Sequence, residues 1–110
     1  MEKMQLNPFE DINTLTITEE ERAALFLQAK NSMQAAIDKF VLLETNLVER
    51  IILQLQPFNS SNKCTFTALH DRAVATIKQC INSYDFVKYE KMIVWRLQKA
   101  IETMLIEANN

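Results

Sequence analysis

TEEERAALFLQAKNSMQAAIDKFVLLETNLVERIILQLQ, residues 18–56, decides how the chain folds. Thr18 with Glu21 three positions on reads as a capping box. Glu19 and Glu20 add negative charge at the positive end of the helix dipole. Neither glycine nor proline interrupts the chain before Pro57. Phe26, Ala29, Met33, Ile37, Phe40, Val41, Leu47, Val48, Ile51 and Leu55 recur at spacings of three and four, the repeat of one helical stripe. The stretch therefore predicts one long helix over about 19–56, its weakest point at Glu44-Thr45-Asn46.

Outward from this helix, Pro57 to Lys63 is the one clear loop, with Asn and Ser supplying the turns. A second helix is expected over about 66–83, its buried face formed by Leu69, Ala73, Ile77, Cys80 and Tyr84, with Val74 and Ile81 beside them. A third is expected over about 86–107, with Phe86, Ile93, Val94, Leu97, Ala100, Ile101 and Met104 on its apolar side. Asn82-Ser83-Tyr84-Asp85 is read as a break or kink with Asp85 as the cap, the alternative being a solvated patch in one continuous helix. The second and third are nearly continuous. Residues 1–17 read as an extended arm that packs Phe9, Ile12, Leu15 and Ile17 onto the body or a partner. Residues 18–110 form a single helical domain.

The fold expected is all-α: a long antiparallel helical hairpin. A bare hairpin leaves its apolar stripes half wet, so two copies are expected to pair as a homodimer with a four-helix bundle. A compact four-helix monomer, with the first helix broken near Glu44, is the alternative.

Composition narrows the function. None of the 110 residues is glycine, so glycine-rich phosphate loops and dinucleotide-binding turns are not available. The formal net charge is −2 and the basic residues are dispersed, which argues against nucleic acid as a partner. No apolar run is long enough for membrane insertion. The first residues lack a signal-peptide core, so a cytoplasmic location is expected, signal-independent export being compatible with it. Cys64 and Cys80 lack any metal-binding or redox spacing and read as reduced, packed thiols.

Four polar residues fall inside apolar stripes: Lys30, Glu44, His70 and Glu90. Folding the hairpin brings Lys30 and Glu90 to one height, which predicts a structural ion pair. Glu44 finds no cation by the same arithmetic, and a second copy or water at a helix break is expected to meet it. Glu44, His70 and Glu90 could together form a small helical enzyme or metal site. However, di-iron bundles use Glu-x-x-His pairs, and Thr67 stands where that glutamate would precede His70, the one histidine. No metal, cofactor or catalytic residue is expected.

Trp95 lies opposite its helix's stripe, with Met92 and Ile106 on the same side. Those three and Phe9 are the expected partner-binding residues, since tryptophan is enriched at interface hot spots. Leu42 and Leu53 also lie off the main stripe, which again suggests more than one buried side. Asn7-Pro8-Phe9 resembles the tripeptide bound by eukaryotic EH domains, although an ordinary turn anchored by Phe9 is the preferred reading of these three residues. The expected function is non-catalytic: an adaptor or chaperone-like protein that shields or recruits a protein partner. A small inhibitor docking on a target enzyme is the alternative.

Overall fold

A computed structural model describes residues 17–59 and 63–108. The arm, with Phe9 and the Asn7-Pro8-Phe9 motif, lies outside the described residues. Among those described there are five α-helices and no strand. They are α1 (Glu19–Lys30), α2 (Gln34–Leu43), α3 (Thr45–Leu55), α4 (Phe66–Ser83) and α5 (Phe86–Ala108), with a 3-10 turn at Gln56–Phe58. None is long and apolar enough to cross a membrane.

The capping box forms as the sequence predicts. Glu21 N–H donates to Thr18 Oγ1 at 3.1 Å, and Thr18 N–H donates to Glu21 Oε1 at 2.9 Å. The single long helix does not form. It ends at Lys30, and Ser32 takes a positive φ of 67°. In a chain without glycine, Asn31-Ser32 supplies the left-handed turn, at the steric cost a Cβ brings there. The turn folds α1 back along α2, with Ala29 and Ala36 buried on either side of it. Met33, assigned to the stripe by its spacing, is half exposed beside this turn.

The weak point at Glu44 is a kink. Glu44 keeps near-helical dihedrals, and the backbone ladder runs through it from Phe40 to Val48. At the far end, Pro57 falls in the 3-10 turn. Asn59 then brackets Cys64, donating from Nδ2 to its carbonyl at 2.8 Å and accepting its N–H at 3.0 Å. Both residues are buried, so this side chain does the closing work of a backbone turn.

Helices α4 and α5 match their expected limits closely. Thr65 caps the first, accepting from Ala68 N–H, and Asp85 caps the second, accepting from Lys88 N–H. They pack antiparallel, with Gln79 bonded to Arg96 and the neighbourhood of Arg72 facing that of Thr103. Leu69, Ala73, Ile77 and Cys80 are buried against Ile93, Leu97 and Ile101, as their periodicity predicts. Val94 is exposed rather than buried.

The extra fold at residues 31–33 changes the architecture from a hairpin to a compact helical array. The apolar stripe is split between α1, α2 and α3, which pack on α4 and α5 from different directions. Phe26, Phe40, Val48, Ile51 and Leu97 are all 2% exposed or less within one chain. The physical motive for pairing hairpins, a half-wet core, is met by α1 folding back.

Candidate functional site

The polar residues that interrupt the stripes fall into two arrangements. One is a knot, buried at Glu44 and Tyr89 and open to water at Glu90, where α1, the α2–α3 kink and α5 meet. Arg22 lies 3.2 Å from Glu44 Oε1 and 2.9 Å from Glu90 Oε2. Tyr89 donates its hydroxyl to Glu44 Oε2 at 2.6 Å. Rings surround the group: Phe26 has Phe40, Phe86 and Tyr89 within 5.1–5.6 Å of its centroid, and the Arg22 guanidinium lies 4.7 Å from the Phe40 centroid.

Glu44 is thus paired within its own chain. Its partner is Arg22, which reaches the kink only because α1 turns back at Asn31–Met33. The expected Lys30–Glu90 pair does not form. Glu90 is taken by Arg22, and the Lys30 ammonium donates to the carbonyls of Ile81, Asn82 and Tyr84 at 3.1, 3.3 and 2.7 Å. A cation at these last carbonyls of α4 meets the negative end of its dipole. Lys30 is therefore a cap, and it ties the end of α1 to the α4–α5 joint.

Burial lowers the Arg22 guanidinium's hold on its proton, but the Glu90 and Glu44 carboxylates outweigh that and push its pKa up. The Tyr89 phenol is pushed far up by burial first and then by the Glu44 carboxylate. Both groups are thus locked in one protonation state near neutral pH. Such a knot ties α1, the α2–α3 kink and α5 together through their side chains.

The Tyr89 shift has a testable sign. In the unfolded chain a tyrosine ionises near its ordinary value of 10.0, while folded Tyr89 keeps its proton. Above that pH the unfolded state binds fewer protons, so stability falls as pH rises. We expect the denaturation midpoint to drop between about pH 9 and 11, and to drop less steeply in Tyr89→Phe. Parallel pH profiles for the two proteins would refute this assignment.

His70 does not join the knot. It stacks on Phe66 with centroids 5.9 Å apart, in the early turns of α4. Glu90 follows the opposite end of the antiparallel pair. No group of three or more His, Cys, Asp or Glu side chains among the described residues could hold a metal ion. The cysteines are free and buried. Burial pushes the Cys80 thiol's pKa up, and the Cys64 Sγ approaches the Met104 carbonyl at 3.7 Å.

The second arrangement is a groove of about 560 Å³ along the α4–α5 seam. Ala75 and Ala100 leave space between the helices, and Thr76 and Thr103 line it beside them. Arg72, Arg96 and Lys99 stand around the groove, and no carboxylate lines it. Arg96 is held by two bonds, from Nη1 to the Tyr84 hydroxyl at 2.8 Å and from Nη2 to Gln79 Oε1 at 3.0 Å.

Beside the groove, on the outer face of α5, Trp95 is 52% exposed and Ile106 61% exposed, with Met92 partly buried. Lys88 and Lys91 lie exposed on the same helix. Leu42 and Leu53 are exposed as well, so the second buried side inferred for the first helix is not covered by the described residues.

Sequence reasoning missed Arg22 and Tyr89. Asn31-Ser32, two turn-forming residues after Lys30, was the signal that could have found them. With α1 ending there, Arg22 shares a face with Phe26 and comes back toward Glu44. These features define an all-α protein with a buried ion-pair knot, a cationic seam and an exposed aromatic face. Comparisons with protein families, curated proteins and solved structures find no match.

Proposed function

We propose that the protein is a non-catalytic binding protein, an adaptor or chaperone-like module that engages a protein partner through the outer face of α5. The carrying observation is Trp95, half exposed on a helix whose opposite side already seals the core. A tryptophan left in water forgoes a large apolar burial, which a partner surface would recover. Met92 and Ile106 extend the apolar area along the helix. Lys88 and Lys91 flank it, so the complementary partner is an amphipathic segment with acidic residues around an apolar anchor. A second copy of the chain, the homodimer expected from the sequence, is a less complementary occupant because it would bring the same lysines together.

The test is capture of partners by wild-type protein and by Trp95→Ala, with far-UV dichroism on both. The proposal expects Trp95→Ala to keep its helicity and lose about tenfold or more in affinity for a captured partner, the range of an interface hot spot. Unchanged capture would sink it. So would a loss of helicity, which would make Trp95 part of the core.

A further inference from the structure

We propose that the α4–α5 seam is a binding site for condensed phosphate, the chain of linked phosphoryl groups found free or as the tail of a nucleotide. This site goes beyond the protein-binding face and uses different residues. Arg72, Arg96 and Lys99 come from two helices to one groove, in a chain whose overall charge is negative. Random placement of cations on an acidic protein would leave carboxylates among them; none lines this groove. Among the described residues Arg72 has no ion-pair partner, and Lys99 meets only Glu102, at 3.7 Å between two exposed side chains. A pair of that kind contributes little and gives way to a multivalent anion.

Arg96 is the organised element. The Tyr84 hydroxyl and Gln79 Oε1 hold its guanidinium with two of its five N–H donors, leaving the rest for a ligand. Because Gln79 accepts through its oxygen, its amide NH₂ is left as a further donor. Ala75 and Ala100 keep the space between the cations open. A single carboxylate or chloride offers one charge to a groove that three cations line, whereas a chain of phosphates carries several. Without glycine the chain has no glycine-rich phosphate loop, and this seam would reach the same end with side chains projecting from two helices.

Titration calorimetry with tripolyphosphate and, separately, adenosine triphosphate tests the site on the full chain. Binding that weakens steeply with salt is expected. Arg72→Gln and Lys99→Gln should each reduce affinity about fivefold, and Arg96→Lys, which keeps the charge but loses the fork, should reduce it more. Arg50→Gln on α3, exposed and away from the seam, should bind as wild type does. Equal affinity for the two ligands assigns recognition to the phosphate chain alone, and tighter binding of adenosine triphosphate assigns it to a nucleotide. Absence of binding by both ligands overturns the proposal. So does binding that Arg72→Gln and Lys99→Gln leave unchanged, or that Arg50→Gln weakens equally. The two glutamine variants alter exposed side chains, so they keep the test valid even if Arg96→Lys fails to fold.

Discussion

Arg22→Ala is expected to cost about 3–5 kcal/mol, the range for breaking a buried ion pair from one side. The reason lies in what stays behind. Glu44 is 5% exposed, and without Arg22 its carboxylate keeps only the Tyr89 hydroxyl inside the core. Glu90, at the rim, can turn to water, so its share of the loss is small. The guanidinium also covers the Phe40 ring, and truncation removes that packing. Against a total stability of about 5–15 kcal/mol, that is a large fraction, enough to bring a protein at the low end of the range to its unfolding midpoint. Chemical denaturation measures this directly. A companion Arg22→Met with Glu44→Gln should recover much of the loss, since it removes both charges and keeps the shape. If Arg22→Ala denatures within about 0.5 kcal/mol of wild type, a shift typical of an uninvolved surface site, the knot does not hold the helices together.

Phe26→Ala should be comparably damaging, at about 3–5 kcal/mol. Phe26 is 2% exposed and is the ring that Phe40, Phe86 and Tyr89 all face, so its removal opens a cavity where α1, α2 and α5 meet. Its neighbours are held by Arg22 and Glu44 and cannot collapse freely into the space. The effect should therefore couple to Arg22→Ala: the double variant should lose less than the two single losses added together. A loss for Phe26→Ala below about 1 kcal/mol, the middle of the range for ordinary substitutions, would mean that the ring cluster repacks without it.

Much of this fold was legible because local chemistry and periodicity agree. The capping box at Thr18, the Asp85 cap and the buried faces of α4 and α5 follow from spacing alone. The break at Asn31–Met33 was obscured because the apolar stripe continues across it in register, so periodicity could not distinguish one helix from two folded together. That one turn decides the rest. With it unseen, Lys30 stood opposite Glu90, and Glu44 had no cation. With it in place, Arg22 takes both carboxylates and Lys30 becomes a cap. The cationic seam was obscured for a different reason. Its three cations are dispersed between positions 72 and 99 and share a neighbourhood only once α4 lies against α5. Trp95 was legible because a tryptophan opposite an apolar stripe needs no tertiary information to be noticed.

The sequence distances inside the knot set an order of assembly. Gln79 and Arg96 find each other across 17 residues, whereas Arg22 must wait for Glu90, 68 residues further on. Closing the longer loop costs more entropy, so α4 and α5 can pair before α1 is seated. On a ribosome the delay is physical. Helix α1 emerges with Phe26 and Arg22 ready, while the residues of α5 that cover and neutralise them are still to be made. Until Phe86, Tyr89 and Glu90 leave the exit tunnel, that ring-bearing face lacks the α5 residues that cover it, and α1 can lock only once the chain has been synthesised past Glu90.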